Sequence, residues 1–289
     1  MKKKFNKLTF VLLGITLLLS VSCQKTFDSK SYAPSKPLQS FGGYTNSSDI
    51  EPTALVSYFP FSNSLKDSLS ATTGVATKTS FAKGVRGEGL QGANNGYVVS
   101  DVPVAVQNLQ SFTISLWVKM GQNTDGAVGL FDIDNNQVGG AGFWGSMAIF
   151  FDNGGSATTG VLKVHVFSNP ESPTGLDAWE GGYSVPNPWN VWSQVVVTYD
   201  NPSSTVIVYF NGKQVGTNTV AGFKLDWTTA KKMVFGTLQF QTDPSLTANT
   251  GAQGWASYMT GVEDQVRIYN KVLTAKEVKY LNSLEAIGR

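Results

Sequence analysis

The chain has 289 residues, 41% of them hydrophobic, 12% aromatic and 15% charged, enough apolar side chain for a large core and too much for a natively disordered or collagen-like protein. One cysteine and one histidine exclude a disulfide scaffold, which needs paired Cys, and a zinc site built from several His or Cys. The formal charge of +2 owes its sign to Lys2, Lys3, Lys4 and Lys7; the rest of the chain holds 18 basic and 20 acidic residues. Such a body has no electrostatic footprint for a phosphate backbone, so nucleic acid is not expected as a partner.

Residues 1–22 read as a signal peptide: a basic start, MKKKFNK, then a 14-residue apolar run, LTFVLLGITLLLSV. A spanning helix needs about 20 apolar residues, so the run is too short for a permanent anchor. Small residues followed by Cys23 resemble the bacterial lipobox, in the looser form found on Bacteroidetes lipoproteins, with Ser20 where Leu is usual. That resemblance implies that Cys23 becomes the acylated N-terminus and ties the protein to the outer membrane, on its periplasmic face or at the cell surface, without spanning it. Residues 23–52, rich in Ser, Lys, Gly and Pro without sustained periodicity, read as a tether reaching on the order of 30 Å by random-coil scaling.

From residue 53 to 289 the pattern is that of an all-β sandwich, with short period-two runs separated by Gly, Asn, Asp and Pro. In SFTISLWVKM, Phe112, Ile114, Leu116 and Val118 share one face, and Thr113, Ser115, Trp117 and Lys119 the other. WSQVVVTYD and STVIVYFNGKQVG are apolar on both faces, as central strands are, and Asn211-Gly212 predicts a type I′ hairpin turn. The one helix expected is C-terminal, in LTAKEVKYL, where Thr274 and Glu277 stand in capping-box register.

The blocks LVSYFPFSNSLKDS, FAKGVRGEGLQGANNGYVV, SFTISLWVK, WSQVVVTYD, VIVYFNGKQVGT and MTGVEDQVRIYNKVLTAKEVKYL together resemble the laminin-G-like branch of the concanavalin A-like lectin and glucanase superfamily. The resemblance implies a jelly roll of two antiparallel sheets, with a face and rim loops that bind sugars or proteins. It also implies structural roles for Trp117 and Trp192. The stretch between Gly121 and Trp192 departs from the compact family pattern, with long Gly-, Asn- and Trp-rich segments.

Sugar recognition requires flat apolar faces to stack on pyranose rings and amides or carboxylates for the hydroxyls. The loops supply Trp144, Trp179, Trp189, Trp227 and Trp255, and we take Trp144, Trp179, Tyr183, Trp189 and Trp255 with Asn135 and Asn136 as the expected glycan-binding set. Any single indole can equally fold down and close an end of the sandwich. A hydrolase would need two carboxylates facing one sugar. Asp132 and Asp134, alternate residues in GLFDIDNN, are the nearest pair, although no glutamate lies between Glu88 and Glu171 and the same aspartates suit a strand end and turn. His165, alternating with Val164 and Val166, is expected on the sheet surface or in a cleft. Asp264 shares strand parity with Val262, Val266 and Ile268 and so should point into the core, where it needs a partner. If a structural Ca²⁺ is bound, Asp264 with Asp67 is the expected pair, because the first and last strands of this fold should lie side by side.

Three functions stay open on these residues. The first is a non-catalytic, lipid-anchored glycan-binding protein of the cell envelope, with other envelope proteins as further partners. A glycoside hydrolase is the second, and a protein-binding adhesion module the third.

Overall fold

Alternating apolar residues in short runs fold as strands when each run can bury one face, and here they do so in two layers. The computed structural model describes residues 38–135, 143–168, 177–247 and 250–289. Its strands are β1 Leu55–Phe59, β2 Val75–Thr77, β3 Ser80–Lys83, β4 Glu88–Gln91, β5 Tyr97–Asp101, β6 Phe112–Lys119, β7 Ala127–Ile133 and β8 Met147–Ser156. They continue as β9 Thr159–Phe167, β10 Asp177–Pro186, β11 Ser193–Asp200, β12 Thr205–Phe210, β13 Lys213–Thr219, β14 Lys232–Phe235, β15 Ala256–Tyr258 and β16 Val262–Tyr269. Among the described residues there are also a single-turn helix α1, Val104–Gln107, and a C-terminal helix α2, Ala275–Glu285.

Sheet one runs β13-β12-β11-β6-β16-β4-β3, and sheet two runs β10-β9-β8-β7-β14-β5-β2. All pairs are antiparallel except β15 with β7, which is parallel. The last strand, β16, lies inside sheet one, with β6 on one side and both β4 and β1 on the other. First and last strands therefore pair antiparallel, as the sequence led us to expect, and the molecule is the expected jelly-roll sandwich with one short C-terminal helix.

The core lies between the sheets. Phe112, Ile114, Leu116 and Val118 all face it and are buried, each stabilising the fold by about 1.5 to 3 kcal/mol through apolar burial. They meet Phe131, Ile133, Ile149, Phe151, Val164 and Val166 of sheet two. The Asn211-Gly212 turn has φ of 50° and 72°, the left-handed pair that a type I′ turn requires.

The other side of sheet one is covered as well. Helix α2 opens with the expected capping box, Thr274 accepting from the Glu277 amide while the Glu277 carboxylate accepts from the Thr274 amide. Its buried Val278, Leu281 and Leu284 pack on Val196, Tyr209 and Tyr269 with Ile50 and Ala54. The compact unit accordingly spans Ser40–Arg289. Residues 40–52, which composition assigns to the tether, belong to this layer through Phe41, Tyr44 and Ile50. Polar residues there are stapled by structure and not by periodicity, which is why the sequence reading placed the boundary at 53.

A buried ion pair fastens the layer. Arg267 donates from Nε to Glu285 at 2.7 Å and from Nη2 to Ser47 Oγ at 3.1 Å, while Trp117 Nε1 donates to Glu285 at 2.7 Å. The guanidinium also lies 4.1 Å from the centre of the Tyr58 ring, so the charge is paired on all sides, as burial demands.

Candidate functional site

The outer face of sheet two carries a row of residues in register: Trp179 on β10 opposite His165, then Ala148, then Asp132, then Val234 on β14. Cross-strand partners point to one side. Since Val164, Val166, Ile149 and Ile133 belong to the core, this row points away from it. The neighbouring row places Phe150 opposite Lys163, and Lys163 pairs with Asp152 at 2.6 Å.

Three loop segments fold onto this face. Phe143 and Trp144 precede β8, Phe240 lies in the 3-10 turn Gln239–Gln241 after β14, and Trp255 precedes β15. Trp144 is the hub. Its ring stacks on Phe150 at 5.4 Å and meets Trp179 edge-on at 4.9 Å. It also contacts Trp255 at 5.7 Å and Phe240 at 5.3 Å. Aromatic pairs of this geometry add about 0.5 to 1.5 kcal/mol each beyond area burial. Trp179 and Trp255 remain 41% and 44% exposed, so two indoles present open surface while the half-buried third holds them apart. Of the expected sugar-binding set, these three tryptophans are the ones the fold brings together.

Side-chain amides set the loops. Asn135 Nδ2 donates to the Trp144 carbonyl at 2.6 Å, Gln239 Nε2 to the Phe143 carbonyl at 2.7 Å, and Gln241 Nε2 to the Ala256 carbonyl at 3.0 Å. Asn135 is 1% exposed and so positions Trp144; it does not reach a ligand from where it stands. Gly126, at φ 83°, lets the Trp255 carbonyl approach to accept from Ala127 at 2.9 Å; a Cβ at 126 would lie 2.1 Å from that oxygen. His165, buried against Trp179 at 4.3 Å, and Phe143, Phe150 and Phe240 belong to the site without having been in the expected set. Phe150 alternates with core residues Ile149 and Phe151 in an unbroken apolar run, and such a run does not reveal which face is the outer one.

The carboxylates are placed differently from a hydrolytic pair. Asp132 lies beneath the aromatic loops, fully buried, with Oδ2 accepting from the Gln239 amide at 3.2 Å and Oδ1 without a hydrogen bond among the described residues. Burial pushes its carboxyl well above the usual range. Asp134 sits just past β7 and accepts from the Lys231 and Lys232 amides at 2.6 and 2.9 Å, joining the end of β7 to the start of β14. At 0% and 3% exposure neither carboxyl reaches a glycosidic oxygen from its present position.

Other expected ligand residues turn inward. Trp189 is 7% exposed, packs in the core beside Phe151 and donates to the Ser156 carbonyl at 2.7 Å. Trp227, a loop tryptophan outside the expected set, is also buried and donates to the Phe167 carbonyl at 3.0 Å. Tyr183 lies opposite Leu162 after a register shift at Gly181 to Tyr183; the shift, with Gly182 at φ 72°, sends its ring toward the core and its hydroxyl to Glu180 at 3.1 Å. Burial and the Glu180 carboxylate push that phenol up to about 12. Trp117 is buried as expected, whereas Trp192 precedes β11 and is half-buried, not a core-strand residue. Asn136 and Cys23 lie outside the described residues.

Asp67 and Asp264 take separate sets of hydrogen-bond donors. Asp67 accepts from Ser57 Oγ, the Tyr58 amide, the Leu69 amide and Ser70 Oγ, all at 2.8 to 2.9 Å. Asp264 accepts from the Arg86 amide and from Gln265. N–H and O–H groups aimed at a carboxylate are the surroundings of an anion held by the protein itself, and among the described residues no three His, Cys, Asp or Glu gather as a metal group. This set does not fit Ca²⁺. Asp264 also points the other way from the expectation: Gln265, at φ 52°, forms a bulge. Glu263, opposite Val118 and Leu90, is the residue facing the core, and Asp264, opposite Trp117, faces out.

Comparison with known proteins agrees with this architecture. Among solved structures, domain 4 of AbnA, a GH43 extracellular arabinanase from Geobacillus stearothermophilus solved with arabinotriose, is 20% identical; the alignment covers 78% of this chain and 97% of that one, with a TM-score of 0.52. The binding domain of Paraclostridial Mosquitocidal Protein 1 is 17% identical, with a TM-score of 0.56, over 80% of this chain and 52% of that one. The binding domain of Botulinum Neurotoxin DC, in complex with SialylT, is 18% identical over the same shares, with a TM-score of 0.52. The chain thus spans about half the length of those toxin domains, and at such identities the likeness is one of fold. No curated protein sequence matches the chain. A laminin G family model matches residues 91–279, well over half of the chain, and the protein therefore belongs to the concanavalin A-like lectin/glucanases superfamily.

Proposed function

We propose that this protein is a non-catalytic glycan-binding lipoprotein that holds saccharide on the outer face of sheet two. The observation that carries the reading is the convergence of Trp144, Trp179 and Trp255, with two indoles more than 40% exposed on one face. An exposed indole hydrated in the free protein gains from stacking on the apolar face of a pyranose, and Lys163 with Asp152, beside Phe150, offers donors and acceptors to the hydroxyls. The arabinotriose bound by the arabinanase domain shows that a module of this fold can serve such a role, and supports the reading by analogy alone. A hydrolytic role has less support, since Asp132 and Asp134 are each buried and held by backbone amides.

In the same proposal Cys23 carries the lipid and the chain up to Gln39 is the spacer, leaving the sandwich free to meet polysaccharide in the cell envelope. A glycan array probed with residues 24–289 tests the binding: discrete saccharide hits lost in Trp179→Ala support it, and an empty array with intact fold contradicts it. Metabolic labelling with a fatty-acid analogue tests the anchor. The label should mark the wild type and not Cys23→Ser, and equal labelling of both would refute lipidation at this residue.

A further inference from the structure

The outer side of sheet one, opposite the aromatic face, holds a cleft of about 580 Å³, within the roughly 300 to 1,000 Å³ usual for small-ligand sites. Five elements build it. Lys83 ends β3, Lys119 ends β6, Trp192 precedes β11, Asn211 opens the β12–β13 turn and Asn282 comes from α2, with Trp117 also lining it.

Most of the polar atoms here are uncommitted. Trp117 already donates its indole N–H to Glu285, but the half-buried Trp192 makes no hydrogen bond among the described residues. Asn211 Oδ1 accepts from the Gln194 amide at 2.8 Å, which fixes the side chain and leaves its NH₂ group as a donor. Lys83 and Lys119 are exposed and form no ion pair among the described residues. Two acids stand nearby: Asp264 lies against Gly84 and is taken up by the Arg86 amide and Gln265, and Glu88 stands opposite Lys83 across the β3–β4 ladder without forming an ion pair among the described residues. The cleft therefore combines the rings of Trp117 and Trp192, two amides and two ammonium groups.

A neutral sugar would use the ring and the amides but leave both ammonium groups without a counter-charge. A phosphate or sulfate ion alone would pair with them and leave the indole unused. We propose that this cleft is a second saccharide site, taking a sugar that bears an anionic group, carboxylate or sulfate. Trp192 stacks on its ring, Asn211 and Asn282 meet its hydroxyls, and Lys83 and Lys119 pair with its charge. The site is independent of the aromatic face on sheet two, so either can hold without the other.

Calorimetric titration of the full chain at low ionic strength tests this with tetragalacturonate, a heparin tetrasaccharide and neutral xylotetraose as probes. The two acidic probes separate carboxylate from sulfate recognition. At least one of them should bind more tightly than xylotetraose, weaken as salt is added, and lose about tenfold in affinity in Trp192→Ala and in the double variant Lys83→Gln with Lys119→Gln. Trp179→Ala should bind that probe as the wild type does. The exposed lysine pair can change without disturbing the core, so the double variant decides the matter even if Trp192→Ala misfolds. Equal affinity of the three probes, acidic binding that survives in the double variant, or acidic binding lost in Trp179→Ala would each overturn the proposal.

Discussion

Asp264 is fully buried yet receives three hydrogen bonds, and burial outweighs them, lifting its carboxyl to about 7. Below about pH 4 the folded and unfolded chains both hold this proton, and its contribution to stability is fully present. Between about 4 and 7 only the folded chain holds it, so that contribution falls as pH rises and is lost once Asp264 ionises. Asp264→Asn keeps the shape without the titration. Its stability relative to the wild type should therefore rise steadily from pH 4 to 7 in melting curves, and parallel curves across that window would contradict the assignment. Glu285 faces Arg267 in a buried ion pair. Glu285→Ala strands the guanidinium and should cost about 3 to 5 kcal/mol in urea unfolding, while replacing both partners with apolar residues should recover much of it. At this scale the sequence is only partly legible. Glycines around Trp144, Trp179 and Trp255 correctly mark indoles held out from the core, but Trp189 sits in a similar Gly- and Pro-rich stretch and is buried. Composition shows where a backbone is free to approach, and not which side of the sheet a ring then takes.

Strand parity is a reliable guide until a bulge intervenes. Phe112 to Val118 face the core as their spacing requires, and His165 stands on the opposite face from Val164 and Val166. In β16 the extra residue Gln265 exchanges the faces, so Glu263 enters the core where parity alone puts Asp264. The bulge in β10 likewise turns Tyr183 inward. A single extra residue inverts every side chain before it; in β10 the glycine pair Gly181-Gly182 sits at the bulge but reads equally well as a loop, and in β16 no glycine or proline marks it. The segment carrying Trp255 depends on another local device. In Gly126→Ala the new Cβ would stand 2.1 Å from a backbone oxygen at φ 83°, so neither space nor conformation allows it. This variant should lower the melting temperature by several degrees and weaken glycan retention as much as Trp255→Ala does; retention at the wild-type level would show that Trp255 is not placed by this contact.

The whole molecule was the most legible level, because a two-sheet sandwich is encoded redundantly by many alternating runs and survives two local register errors. Its lower boundary was less so: Ile50 and Ala54 are buried under α2, a tertiary contact that a Ser- and Gly-rich composition conceals. Since protein donors already surround Asp67 and Asp264, the fold should not depend on a divalent cation, and the melting midpoint should be the same with and without chelator; a fall on chelation would place a cation in the structure. The central claim is that saccharide is held by the indoles of sheet two without acid chemistry. An indole platform contributes about 25 cal/mol per Å² of apolar area removed from water, or on the order of 1 to 2 kcal/mol. The most direct measurement is retention of wild type, Trp179→Ala, Trp255→Ala and the double variant Asp132→Asn with Asp134→Asn on the polysaccharide identified by the array, with released reducing ends assayed in parallel. Each tryptophan variant should lose about tenfold in affinity with fold intact, and the aspartate variant should bind like the wild type with no sugar released by either. Reducing ends released by the wild type and abolished in the aspartate variant would contradict the claim.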